Sequence, residues 1–311
     1  HGQAAFMEIM NSMNREGVYP PMLDRGSLEV LPESPGVYFF YGEGGELLYV
    51  GKSINLAKRV RSHFSSDYSS TRELRLCQQV ARIEHKSTAG ELGALLLESR
   101  LIKELRPLYN LQSRRAHQLI AGKTVTTSAG FSKLELSRVT HITPNDATEL
   151  LCLFRNMRQA KEELSEIAKD FSLCPSMLGL GSSKGPCFYY GLGQCKGACA
   201  GKENETEYKT RFMEAFEERR IRQWPFREPV VVEEKLSDNS GELFVVDRWC
   251  VTGVYRYTPE GIDEISLARP LFDYDTYKIL ARSLAGGRRR PAVRPLSACQ
   301  EIFGGSFGDF E

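Results

Sequence analysis

Two tyrosines stand on short β-rich runs, Tyr38 in Gly36-Val37-Tyr38 and Tyr49 in Tyr49-Val50-Gly51, with Lys52 immediately after and Arg59 and His63 on the stretch that follows. Hydroxyls and cations gathered this closely suit an anionic ester, above all a phosphodiester. Hydrolysing that bond needs an activated water in line, neutralised charge on the equatorial oxygens and a stabilised leaving oxygen. Glu98 falls mid-helix among leucines, where a carboxylate is costly unless paired or metal-bound. A Mg²⁺ or Mn²⁺ held by one carboxylate plus waters meets that condition. Arg59 and His63 lie one helical turn apart on a shared face, so both can reach a phosphate held at the hairpin. Lys52 is placed to lower the pKa of a neighbouring tyrosine, which at about 10 is a poor base at neutral pH. Tyr38 or Tyr49 is then the base or water-orienter, Arg59 meets the transition-state phosphate and Glu98 holds the metal. The residues leave open which tyrosine takes the proton.

The elements that must position these groups are legible. Leu31-Pro32-Glu33-Ser34-Pro35-Gly36 is turn chemistry at the entry to a first domain. Val37–Tyr41 and Leu47–Val50, around Gly42-Glu43-Gly44-Gly45, predict a hairpin. Ser53 is the expected N-cap of a helix over about 54–64. A second helix is expected over Thr71–Val80 and a short strand over Arg82–Lys86. Leu92, Leu95, Leu96, Ile102 and Leu105 recur near the helical period after Gly90-Glu91, and Arg106-Pro107 ends that helix.

This set, Gly36-Val37-Tyr38, Tyr49-Val50-Gly51-Lys52, Arg59, His63, Glu98 and Asn110, resembles the motifs of the GIY-YIG endonucleases across residues 32–112. The version with Ser87-Thr88-Ala89-Gly90-Glu91 and Leu101–Asn110 resembles the N-terminal domain of the UvrC family, the nucleases of bacterial nucleotide excision repair. The sequence after the cysteine loop is too short for the second UvrC nuclease, so the resemblance is to single-nuclease members. It implies a metal-dependent endonuclease that cuts damaged double-stranded DNA on the 3′ side of a lesion, in a complex with UvrB. It also implies that Tyr38, Tyr49, Lys52, Arg59, His63, Glu98 and Asn110 form the catalytic site, with Asn110 holding local geometry and Lys52 and His63 as auxiliaries. His63 departs from the family, which commonly has tyrosine there. Two rivals are a stand-alone homing or restriction-type nuclease on the same domain and an inactive DNA-binding accessory. Missing sequence-readout modules argue against the first, and the intact catalytic set against the second.

Four of eight cysteines crowd into one segment as Cys174, Cys187, Cys195 and Cys199. With no secretory signal in view, that clustering reads as metal chemistry rather than a disulfide framework. Four thiolates without histidine suit zinc or a 4Fe–4S cluster. The absence of paired C-x2-C knuckles favours iron–sulfur, as does the resemblance to the UvrC cysteine cluster. Cys77, Cys152, Cys250 and Cys299 read as packing residues.

A chain of 311 residues exceeds one minimal core. The expected organisation is a leader (1–30), a small α/β nuclease domain (31–115), a connecting α/β region (116–172), a cysteine-rich metal- or cluster-binding region with a helix (173–225) and a C-terminal α+β region (226–311). Lys plus Arg (41) nearly balance Asp plus Glu (40), so no global field attracts nucleic acid. Phosphate contact must come from patches: Lys103, Arg106, Arg114 and Arg115 first, then Arg155 with Arg158, and Arg219, Arg220 and Arg222. No apolar run reaches the roughly 20 residues of a membrane span, so no membrane partner and a cytoplasmic location are expected.

Overall fold

The computed structural model describes residues 19–24, 26–65, 70–110, 119–140, 142–181, 187–267, 272–285 and 291–303. In the first unit, β1 (Gly36–Tyr41) pairs antiparallel with β2 (Leu47–Ser53) and with β3 (Arg82–Ser87), in the order β2-β1-β3. The hairpin closes where Gly45 takes a left-handed φ of 80°, which glycine adopts without strain. Helix α1 (Leu56–His63) is capped by Asn55, whose side chain accepts from the Lys58 N–H at 2.8 Å. The expected cap, Ser53, ends β2 instead, and its hydroxyl ties the turn by donating to the Asn55 carbonyl at 2.7 Å. The difference arises because Ser53 is still paired to Gly36 across the sheet. Helix α2 (Thr71–Gln79) starts at a Ser70 cap, and α3 (Glu91–Leu105) ends where Arg106 turns left-handed ahead of Pro107.

The period-2 alternation of β1 divides its faces. Tyr38 and Phe40 pack with Leu56, Val60, Phe64 and Leu74 on one side. Val37 and Val50 pack against Ile102, Leu97 and Leu101 of α3 on the other. The sheet is thus held between α1 and α2 on one face and α3 on the other.

The second unit is a sheet of order β5-β4-β6, from β4 (Leu119–Thr126), β5 (Ser132–Val139) and β6 (Cys152–Phe154). Short α4 (Pro144–Glu149) precedes β6, and α5 (Met157–Asp170) and α6 (Glu205–Phe216) flank the cysteine loop. Leu134, Phe154 and Leu164 share one core with Cys174, Cys187, Cys195, Tyr208 and Phe212. Sheet and cysteine loop therefore fold round the same centre. The helix of the cysteine-rich region stops at Phe216, and the chain returns toward β6 where the Ile221 N–H donates to the Leu151 carbonyl at 3.1 Å.

The third unit is a five-stranded antiparallel sheet, β10-β9-β8-β7-β11, built from β7 (Val230–Ser237), β8 (Ser240–Asp247), β9 (Cys250–Thr258), β10 (Gly261–Leu267) and β11 (Ala292–Pro295), with α7 (Tyr274–Ala285) and α8 (Leu296–Phe303). Strands β8 and β9 are joined by Arg248 and Trp249, both at positive φ. Trp249 is held there by its indole N–H donating to the Arg222 carbonyl at 2.8 Å and by edge contacts with Trp224 and Tyr277. Among the described residues, no helix is long and apolar enough to cross a membrane.

The tightest backbone approach in the nuclease sheet is at Gly36. A Cβ there would lie 2.9 Å from the Leu56 side chain and 3.0 Å from the Ser87 Cα, and closer still to the Lys86 carbonyl. Gly36→Ala should cost about 1–3 kcal/mol as an overpacked site, read as a lowered denaturation midpoint. Parental stability would mean that β1 and β3 are not packed this closely.

Candidate active site

Strand register assembles the phenols. Tyr38 pairs with Gly51 and Phe40 with Tyr49, so both tyrosines leave the same face, their ring centroids 6.1 Å apart. Gly51 makes this possible, since a Cβ there would lie 2.5 Å from the Tyr38 ring and 2.7 Å from the Tyr49 ring. Tyr38 is fully buried and its oxygen lies 2.7 Å from His63 Nε2. His63 is itself buried, with Nδ1 3.8 Å from a Glu73 carboxylate oxygen. Burial, aided by the Arg59 charge and opposed by Glu73, pushes the His63 pKa down to about 4. The ring is therefore neutral near pH 7. The tautomer with hydrogen on Nδ1, facing Glu73, leaves Nε2 to accept from the Tyr38 hydroxyl.

Burial also raises both phenols above their ordinary pKa. The Tyr49 charge adds to the effect on Tyr38, the Glu98 charge adds to that on Tyr49, and Arg59 opposes it in both. The cation expected to lower a tyrosine was Lys52. Its ammonium instead turns to Glu91, at 3.1 Å, and the tyrosines feel Arg59. The reason is geometric: Lys52 lies opposite Val37 in the register and so points to the other sheet face.

Glu98 reaches the end of β2 from α3. Its Oε1 accepts the Lys52 backbone N–H at 3.0 Å. Burial raises its pKa, against the pull of that N–H and of the Lys52 and Arg59 charges. Asn110 works as a surrogate strand residue: its Oδ1 accepts from the Val50 N–H at 3.0 Å and its Nδ2 donates to the Val50 carbonyl at 2.8 Å. Tyr38, Tyr49, Arg59, His63, Glu98, Lys52 and Asn110 thus converge on the end of one hairpin. Glu73 and Glu91, which partner His63 and Lys52, were not singled out from sequence. Only the helix-opening position of Glu91 hinted at either.

The cysteines converge as well. Cys174 and Cys187 sulfurs are 3.5 Å apart, Cys187 and Cys195 4.0 Å, and the sulfurs of Cys174, Cys187 and Cys199 all lie within 4.8 Å of one another. Burial raises Cys187, but hydrogen bonds from Ser176 and the Tyr190 N–H bring it below the ordinary thiol, to about 7. In the same core, the hydroxyl of Tyr208 is buried without a hydrogen-bond partner among the described residues. Four soft donors and an orphaned hydroxyl fit a group that this pocket can ligate.

The cations expected at DNA are partly committed elsewhere. Lys103 is ion-paired to Asp273 at 2.6 Å and Asp275 at 3.2 Å. Arg155 reaches Asp275, Arg158 reaches Glu162 and Arg219 reaches Glu163. Arg106 is exposed at the end of α3, while Arg114 and Arg115 lie outside the described residues.

Three family models match in succession: the UvrC-like GIY-YIG domain over 34–111, the UvrC/Cho excinuclease middle domain over 125–218 and the excinuclease Cho C-terminal domain over 229–300. Excinuclease cho of Escherichia coli O6:H1 is 37% identical over 272 residues, covering 86% of this chain and 88% of its own. UvrABC system protein C of Geobacter metallireducens is 35% identical over 190 residues, 60% of this chain and 30% of its own. The solved GIY-YIG N-terminal endonuclease domain of UvrC from Thermotoga maritima, bound to magnesium as its catalytic divalent cation, is 34% identical over 28% of this chain and 93% of its own, with a TM-score of 0.26.

A histidine held neutral by burial makes a pH signature. Its folded pKa lies below the unfolded value, so the unfolded chain takes up the proton first. Stability is lost as pH falls from about 6.5 toward 4, by about 2 kcal/mol at pH 5. Thermal unfolding at pH 7 and pH 5 should therefore show a smaller drop in His63→Phe than in the parent. Equal drops would mean that His63 is charged in the fold.

Proposed function

The chain belongs to the excinuclease Cho family, and from that premise we propose that it incises damaged double-stranded DNA on the 3′ side of a lesion, in a complex with UvrB. It is a GIY-YIG endonuclease of the nucleotide excision repair type, with α/β nuclease, cysteine-bearing and C-terminal α+β regions in series. The observation that carries the catalytic reading is Glu98, pinned by the Lys52 amide beside the Tyr38–His63 pair.

Glu98 is the protein ligand for Mg²⁺ or Mn²⁺, which when bound neutralises phosphate charge and supplies an acidic water. The phenols stay protonated at neutral pH, so they act first through their oxygen lone pairs. Tyr49, the less buried of the two, orients the attacking water. Tyr38 stands behind it with its proton directed at the neutral His63 Nε2. Arg59, exposed at the rim, meets the scissile phosphate and its developing charge. Asn110 keeps β2 in register. Lys103 is neutralised by Asp273 and Asp275, and the DNA phosphates are assigned to Arg106, Arg114 and Arg115 as a basic cluster in the sequence.

For the cysteine centre we keep a 4Fe–4S cluster on Cys174, Cys187, Cys195 and Cys199 ahead of zinc, with a structural role. The 3.5–4.0 Å sulfur separations match thiol–thiol hydrogen bonds and the edge of a tetrahedral zinc site, and a 4Fe–4S cluster would require the sulfurs to spread apart.

Incision of a lesion-bearing duplex by the full chain should need divalent metal and added UvrB. Glu98→Gln and Tyr49→Phe should each lower the rate about 100-fold or more with unchanged circular dichroism. Parental nicking by Glu98→Gln would remove the metal assignment, and UvrB-independent cutting would favour the stand-alone nuclease. Anaerobically purified protein should be brown and contain iron. Stoichiometric zinc with background iron would replace the cluster.

A further inference from the structure

The helix that carries Glu98 begins without a cap of its own. Gly90 is the cap residue of α3 and has no side chain to offer, so the first amides of the helix must find acceptors elsewhere. They find them in the C-terminal sheet: the Glu234 carboxylate accepts the Leu92 N–H at 2.8 Å with one oxygen and the Gly93 N–H at 2.8 Å with the other. A carboxylate on two first-turn amides also meets the positive end of the helix dipole.

Two further features show that this contact is built. A Cβ on Gly90 would lie 2.6 Å from the Glu234 Cγ and closer still to its carboxylate, and one on Gly93 would lie 2.5 Å from a Glu242 carboxylate oxygen. Glycine inside a helix costs about 1 kcal/mol relative to alanine, and here it makes room for an acidic side chain arriving from another unit. In addition, Glu234 and Glu242 are direct cross-strand partners of β7 and β8, an arrangement that repels. Each is satisfied separately, Glu242 by Arg256 at 2.7 Å and Glu234 by the helix amides.

The same helix turn leads to the site. Glu91 binds the Lys52 ammonium at 3.1 Å, and the Lys52 amide binds Glu98 at 3.0 Å. We infer that Glu234 is a positioning residue for the nuclease site: the C-terminal sheet caps the metal-bearing helix and so sets Glu98 and Lys52 against the end of β2. This rests on the reading of Glu98 as the metal ligand.

The test uses the full chain and Mn²⁺ alone, titrated by calorimetry without DNA, alongside Mn²⁺-dependent incision at a temperature where every variant is folded. Glu234→Ala should weaken Mn²⁺ binding and raise the Mn²⁺ needed for half-maximal incision about fivefold, the equivalent of about 1 kcal/mol at 1.36 kcal/mol per tenfold. Glu234→Gln keeps one acceptor oxygen and should recover part of the loss. A variant destabilised to heat but with parental Mn²⁺ affinity in both assays would make Glu234 merely structural and overturn the inference. If Glu234→Ala fails to fold, Glu234→Gln decides: parental affinity overturns the inference, and a shift of about twofold or more upholds it. Failure of the underlying reading looks different, since the parent would then bind no Mn²⁺ and Glu98→Gln would cut normally.

Discussion

The hydrogen bond from the Lys52 amide to Glu98 joins the two halves of the nuclease site. One partner is backbone at the end of β2, and the other is a side chain on a helix packed across the opposite sheet face. Because the amide is fixed by the sheet ladder, the carboxylate is fixed too, and burial strengthens its dependence on that partner. The phenols stand on the face turned away from α3, so only groups at the strand end are shared by both sides. This explains why Lys52 contributes through its backbone while its ammonium is engaged with Glu91, on the helix side.

Electrostatics in the pocket run against ionisation. Burial raises Tyr38, Tyr49 and Glu98 and depresses His63, so each of these groups is shifted toward its neutral form. Arg59 works against this for the tyrosines and, after Lys52, for the glutamate, and it adds to the depression of the histidine. A pocket that resists charge gains most from charges brought in with the substrate and a divalent cation. The chemistry expected of it therefore starts from protonated phenols and a neutral imidazole.

The nuclease unit was largely legible because its elements are short, local and punctuated. The hairpin, the strand at 82 and the helix ended by Pro107 follow from glycine, proline and apolar spacing. The N-cap was misplaced by two residues, since strand pairing retains Ser53. The break at Arg248-Trp249 was not legible, because two non-glycine residues at positive φ carry no turn signature. They are tolerated there through tertiary contacts of the indole. The cysteine cluster was visible as composition, and its convergence depended on Tyr208 and Phe212 of a later helix closing the core.

What sequence could not show is the dependence of one unit on another. Gly90 and Gly93 read as a weak start to a helix when only the first 110 residues are considered. They make sense once two glutamates from 140 residues downstream occupy the space a methyl group would take. At the other end of α3, Lys103 meets Asp273 and Asp275 and is thereby withdrawn from a surface role. The C-terminal unit is thus joined by charge to both ends of the helix that bears Glu98, through Glu234 of β7 at one end and Asp273 and Asp275 at the start of α7 at the other.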